Sequence, residues 1–228
     1  MFQGKKYITF DCYGTLIDWD TGIRNSLKQL SNSKGLNLDI NELVKLYYKT
    51  ELEVEQETYR LYKEVLTLTI KRILESQGIK GTEEDYQILV RTIPTWQPFP
   101  EVSSTLIKLK EKGYKLIILS NIDDDIIAKS IENIGVEFDG VVTAQQVKSY
   151  KPFYGHWVEM LKRFHATKDD VLHVAASYIH DIIPAKEQGF NCIWINRTHE
   201  EPTRKIRPDE EFDNLAPVPN ILSELSYK

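Results

Sequence analysis

Lys5-Lys6-Tyr7-Ile8-Thr9-Phe10-Asp11-Cys12-Tyr13-Gly14-Thr15 opens the chain with a short run of β-branched and aromatic residues that stops at a carboxylate and a Gly-Thr pair. Such a run predicts a strand buried on both sides and feeding a turn. The same pattern returns at 114–121, 138–143, 171–175 and 191–196. Between these runs, 102–112, 124–134, 154–163 and 181–188 carry apolar residues at helical spacing. Near-continuous apolar strands alternating with helices predict a doubly wound α/β core, a five-stranded parallel sheet covered on both faces.

One interval breaks the alternation. From about residue 19 to 97 no convincing strand is found, and Leu, Ile, Val and Tyr recur at helical spacing through 43–62 and 65–74. An inserted helical domain is expected, with boundaries at 18–97, leaving 1–17 and 98–228 as the core. Pro94, Pro98 and Pro100 mark the return as a rigid hinge. The tail at 199–219 holds four prolines and many charges and reads as a surface loop before a short closing helix at 221–225.

Composition narrows the class. The 228 residues are 41% hydrophobic and 28% charged, which excludes wholesale disorder. The net charge of −5 gives no positive field, so nucleic acid is not an expected partner. Neither a signal-peptide pattern nor an apolar run of membrane-spanning length is found, so a cytoplasmic protein without membrane attachment is expected. Cys12 and Cys192 lie in β-like runs and are expected as buried free thiols.

In an open parallel sheet, ligands bind beyond the carboxyl ends of the strands. Those ends supply Asp11, then Ser120 and Asn121, then Lys151 in a loop, then Ser177 and Asp181. A carboxylate there is a candidate nucleophile, a nearby ammonium favours its charged form, and small donors hold an anionic substrate. Singly, each residue is as readily a turn former or a loop residue. Their placement after four successive strands is what points to covalent catalysis by Asp11.

At these residues the sequence resembles a known family. Phe10-Asp11-Cys12-Tyr13-Gly14-Thr15-Leu16-Ile17-Asp18, Leu119-Ser120-Asn121, Tyr150-Lys151-Pro152 and the segment ending in His180-Asp181 look like the four ordered motifs of the haloacid dehalogenase superfamily. The resemblance implies a Rossmann-like core, a nucleophilic Asp11 and a helical cap domain that selects the substrate. Phosphatases of that superfamily carry a second aspartate two residues after the nucleophile as leaving-group acid, and here that place is held by Tyr13. They also hold Mg²⁺ with an aspartate at the position of Ala176. An Asp-x-Tyr-Gly-Thr motif, with Trp194-Ile195-Asn196-Arg197-Thr198, looks instead like the type II 2-haloacid dehalogenase branch, which works without metal.

By that resemblance Asp11 attacks the halogen-bearing carbon, Asp181 directs water onto the resulting ester and Lys151 balances the charge of Asp11. Thr15, Ser120 and Asn121 orient Asp11 or bind the substrate carboxylate. Tyr13, Trp19, Tyr48, Trp157 and Ser177 are candidate substrate contacts. Tyr48 falls where the branch has a cap arginine, with Lys45 and Lys49 as nearby cations, and Trp157 falls where it has a tyrosine. Asp123, Asp124 and Asp125 are read as capping the next helix. The histidines show no metal-ligand spacing, and His180 alone is a candidate for a role at the site.

Three readings stay open. The first is a hydrolase without cofactor that acts on a small 2-haloalkanoic acid. The second is a phosphatase of a small phosphate ester with Mg²⁺ on Asp11 and Asp181, and the third a binding module that has lost the chemistry. The resemblance is also compatible with a homodimer.

Overall fold

β1 (Tyr7–Phe10) lies at the centre of a sheet with β2 (Lys115–Ser120) and β3 (Gly140–Thr143) on one side and β4 (Val171–Ala175), β5 (Asn191–Ile195) and β6 (Glu210–Phe212) on the other. The computed structural model describes residues 2–225. All neighbouring strands are parallel, in the order β3-β2-β1-β4-β5-β6. Because the chain fills one side of β1 before crossing to the other, the switch point lies at the carboxyl ends of β1, β2 and β4. Phe10 is in register with Ile118 and Val174, so Asp11 emerges just where those neighbours end.

The sheet has six strands, one more than the sequence predicts. β6 is three residues long, carries Glu210 and Glu211, and pairs only with β5, at the edge. A short charged edge strand gives no apolar run to read, and it blunts further pairing. The expected closing helix at 221–225 is also absent. A 3₁₀ turn at Val218–Ile221 ends the chain's descent, and Leu222 and Leu225 pack on the core without helical backbone.

Side chains alternate across the sheet. Ile8, Phe10, Leu116 and Ile118 join one apolar cluster with α6 (Val102–Glu111) and α7 (Asp124–Ile134). Ile117, Leu119, Val171 and Ala175 join a second with α9 (Gly155–Arg163) and α10 (Ile183–Glu187), while α8 (Ala144–Val147) is a single turn after β3. Layers on both faces are what buried parallel strands require.

Between β1 and β2 the chain forms α1 (Trp19–Ser33), α2 (Ile40–Glu55), α3 (Tyr62–Ser76), α4 (Glu83–Tyr86) and α5 (Ile88–Thr92). Their buried faces, with Leu27, Tyr47 and Leu66, continue the first cluster without a gap. Gly22 permits close approach to the return segment, since a β-carbon there would stand 2.2 Å from the Trp96 ring. Helical spacing at 43–62 hides a break at 56–61. α3 begins at Tyr62 because Asp123, from the loop after β2, accepts the N–H groups of Tyr62 and Lys63, each at 2.9 Å. The capping expected of the Asp123-Asp124-Asp125 run therefore goes to a different helix. Asp124 instead accepts from Thr143 and Gln146, and Asp125 pairs with Lys63.

Candidate active site

Gly14 turns the chain back after β1 with φ of +90°, a region that favours glycine, and lets the N–H groups of Leu16 and Ile17 reach the Cys12 carbonyl. The loop delivers two side chains to one point. Thr15 Oγ1 donates to Asp11 Oδ2 at 2.9 Å and accepts from the Ala176 N–H at 2.8 Å, joining the ends of β1 and β4. Arg197 holds the loop from behind: it donates to the Thr15 carbonyl, pairs with Glu101 and stacks on Phe99, 3.6 Å from the ring centre.

Lys151 is the hub. Its buried Nζ donates to Asp11 Oδ1 at 2.8 Å, to Asp181 Oδ1 at 2.6 Å and to the Leu119 carbonyl at 3.0 Å, which uses all three of its protons. Burial opposes that charge, but the two carboxylates outweigh it and raise the Lys151 pKa. Asn121 lines the site with its side chain already engaged. Its amide clasps the Lys151 backbone, donating to the carbonyl at 3.0 Å and accepting from the N–H at 2.6 Å, so it places the lysine.

Asp181 sits in a wide π-type turn, Tyr178–Ile182, at the place where the sequence suggests an α-helix. Such turns concentrate at functional sites. Besides Lys151, Asp181 Oδ1 contacts His173 Nε2 at 3.0 Å, and His173 Nδ1 meets Thr9 Oγ1 at 2.8 Å. The tautomer that satisfies both contacts donates from Nε2 and accepts at Nδ1. Burial works against the Asp181 charge, yet Lys151 and His173 hold its pKa at about 2. Its other oxygen, Oδ2, is buried without a hydrogen bond among the described residues. Asp11 is placed differently. Burial pushes its pKa up and Asp181 adds to the push, so its ionisation depends on Lys151 and Thr15.

A cavity of about 260 Å³ opens over these groups. It is lined by Asp11, Tyr13, Ser120, Asn121, Lys151, Ser177, His180 and Asp181 from the core, and by Trp19, Tyr48, Glu51, Glu55 and Tyr62 from the insertion. Ser120 keeps its hydroxyl free of other described side chains, whereas Ser177 is committed to the His180 N–H and ring. Tyr13 presents its ring, but its hydroxyl bonds Ser130 at 2.8 Å, and burial pushes its pKa well above the usual range. Trp19 packs edge-on against Tyr13 and Trp96, at 5.2 and 5.0 Å between ring centres.

Trp157 is a correction. It is 1% exposed beneath the sheet, with its ring 5.4 Å from that of His173, and it lines no part of the cavity. It faces inward because α9 packs on the opposite side of the sheet from the insertion. Lys45 and Lys49 also lie elsewhere: both are exposed, pair with Glu42 and Glu53, and line a separate groove. Cys12 and Cys192 are buried and free.

Sequence reasoning missed His173, Glu51, Glu55 and Tyr62. A histidine inside the otherwise apolar β4 was the available signal, since a buried imidazole needs a partner. Glu51 and Glu55 lie one helical turn apart on α2, and the fold brings both into the cavity that Asp11 lines.

Mg²⁺ takes oxygen ligands in octahedral order. Asp181 Oδ2 is free to serve, but Lys151 and Thr15 already engage both oxygens of Asp11, and Ala176 brings no carboxylate. Among the described residues no three His, Cys, Asp or Glu side chains are arranged to hold a metal. The described site thus offers an ion two carboxylates, Asp11 and Asp181, with each Asp11 oxygen already accepting one hydrogen bond.

The family model for haloacid dehalogenase-like hydrolases matches residues 8–195. The chain belongs to this family. Haloacid dehalogenase-like hydrolases with similar sequences include (S)-2-haloacid dehalogenase 4A of Burkholderia cepacia, 26% identical over 99% of this chain and 95% of that protein. The glyceraldehyde 3-phosphate phosphatase of Methanothermobacter thermautotrophicus is 30% identical over 87% of this chain and 89% of its own length. The crystal structure of L-2-haloacid dehalogenase from Xanthobacter autotrophicus, with chloropropionic acid covalently bound, has the same fold: TM-score 0.81, 19% identity, 95% of this chain and 98% of that one. The chain is thus a hydrolase with the parallel-sheet fold of this family. No described helix is long and apolar enough to cross a membrane.

Proposed function

We propose that this hydrolase releases halide from a small 2-haloalkanoic acid through an ester of Asp11, without a metal ion. Tyr13 carries the reading. At the position where an acid would protonate an oxygen leaving group, its hydroxyl is committed to Ser130 and too weakly acidic to give up a proton. A halide leaves as a very weak base and needs no proton. The dehalogenases among the relatives support the same assignment, and the phosphatases among them set the competing one.

In the first step an Asp11 carboxylate oxygen attacks the carbon that bears the halogen. A carbon–oxygen bond forms, the carbon–halogen bond breaks with its electron pair, and halide departs. In the second, water attacks the Asp11 carboxyl carbon and one of its protons is accepted at Asp181 Oδ2, then passed to the alcohol oxygen as the ester carbon–oxygen bond breaks; the skeleton leaves as a 2-hydroxy acid, and the regenerated Asp11 carboxyl releases the other proton. The sum is haloacid plus water giving hydroxy acid, halide and a proton. Lys151 keeps Asp11 ionised for the first step, Thr15 orients it, and the Ser120 hydroxyl meets the substrate carboxylate. Residues 18–97 act as a cap on the core formed by 1–17 and 98–228.

The test is halide and phosphate release from a panel of 2-haloacids and phosphate esters, with and without EDTA, by wild type and Asp11→Asn. Halide release that survives EDTA and requires Asp11 is expected. Phosphate release abolished by EDTA would instead move the chain to the phosphatases and make Asp181 a metal ligand.

A further inference from the structure

The side of the cavity that the insertion supplies is acidic and aromatic. Glu51 and Glu55 line it with Trp19, Tyr48 and Tyr62, and among the described residues lining the cavity Lys151 is the one lysine or arginine. Lys151 is saturated by Asp11, Asp181 and a carbonyl, so it has no charge left over for a distant group. Glu51 accepts the hydroxyls of Tyr47 and Tyr62 on one oxygen. The Glu55 carboxyl is 9% exposed and makes no hydrogen bond among the described residues. It stands 3.9 Å from His180 Nε2, an atom itself buried and unpartnered, and burial lowers the His180 pKa and so disfavours its charged form. A plain haloacid would add a further anion to this set and find no cation on that wall.

We propose that the insertion side of the cavity binds a positively charged group, so that the preferred substrate is a small 2-haloacid carrying an ammonium group at its far end. The substrate class rests on the dehalogenase reading, but the charge preference of the wall does not. Two carboxyls on a cavity wall shared with Trp19, Tyr48 and Tyr62 are the chemistry that recognises organic ammonium ions. Burial pushes both glutamates above the usual carboxylate range, Glu51 adds to the push at Glu55, and beyond Lys151 no lysine or arginine among the described lining residues supplies a countercharge. A bound cation supplies that charge.

The experiment compares 2-chloro-4-(trimethylammonio)butanoate with its neutral isostere 2-chloro-5,5-dimethylhexanoate for halide release, and the chlorine-free analogues of both by titration calorimetry. Wild type and Glu55→Gln are used, with Glu51→Gln as a second variant, each checked for an unchanged melting curve. The cationic analogue is expected to bind wild type at least about tenfold more tightly than the neutral one, with most of that ratio lost in Glu55→Gln. Equal binding of the two analogues by wild type, or tighter binding of the neutral one, overturns the proposal whatever the halide assay shows. A preference for the cation with no halide released from any 2-haloacid supports the charge preference and overturns the dehalogenase reading, so the two failures are distinct.

Discussion

Lys151 Nζ stands 2.8 Å from Asp11 Oδ1, and this contact is what opposes the rise in the Asp11 pKa caused by burial and by Asp181. On the proposed mechanism Asp11 attacks only when ionised, and a raised pKa moves the acid limb of activity to higher pH. The wild-type limb in kcat/KM is therefore expected above the value of about 4 shown by a free carboxylate. In Lys151→Met the limb moves higher again and the plateau falls by roughly 10³-fold. A pH–rate profile of both proteins measures this, and a variant within twofold of wild type with the same limb would remove Lys151 from the assignment.

Thr15 joins Asp11 to the Ala176 N–H, so losing its hydroxyl has two effects. Thr15→Val leaves Asp11 Oδ2 without its donor and the Ala176 N–H without its acceptor, at about 1–3 kcal/mol of stability. Thr15→Ser keeps the oxygen and is expected to restore both stability and turnover. Urea denaturation beside steady-state kinetics separates the two effects, and equal behaviour of the Val and Ser variants would show that the hydroxyl is idle.

The strand ends were legible from sequence because they follow from chain order: an apolar run that stops at Asp11, Ser120 or Ala175 can only place the next residue on the ligand edge of a parallel sheet. Lys151 and Asp181 were legible as chemistry, but their shared contact was not, since it spans 30 residues and depends on the turn at Tyr178–Ile182. Side-chain direction was the main loss. Trp157 and Tyr13 both sit near the site in sequence, yet α9 aims one beneath the sheet and Ser130 draws the hydroxyl of the other away. Glu51 and Glu55 read as two charges on a helix until α2 is folded over the core. β6 was lost because a charged edge strand lacks apolar periodicity, and the start of α3 because its cap lies some sixty residues further along the chain.

Asp181 Oδ2, buried and without a partner, fits the second chemical step better than the first. Asp181→Asn is expected to form the Asp11 ester but hydrolyse it slowly, so the intact protein gains the mass of the substrate less hydrogen halide during turnover. Asp11→Asn gains none. His173→Leu removes the contact that helps hold the Asp181 pKa at about 2, and its ester is expected to persist for an intermediate time. Mass spectrometry of quenched reactions reads all three. Absence of adduct in Asp181→Asn, with halide release also lost, would place Asp181 in the first step.

Asp123 ties the insertion to the core by accepting the first two N–H groups of α3, and its carboxylate is 1% exposed between them. Asp123→Ala leaves the buried Tyr62 N–H and the half-buried Lys63 N–H without an acceptor, at about 1–2 kcal/mol for the lost cap. The break at 56–61 is then held by fewer contacts, and cleavage there by a protease is expected to quicken. Tyr62 lines the cavity and bonds Glu51, so loosening α3 also disturbs the acidic wall. KM is therefore expected to rise more than kcat falls, because Asp11, Lys151 and Asp181 are held by the sheet. Asp123→Asn, which keeps one acceptor oxygen, is expected to fall between the two. A kcat loss in Asp123→Ala with KM unchanged would show that the cap fixes the catalytic groups themselves, and that the insertion is part of the catalytic frame as well as its substrate wall.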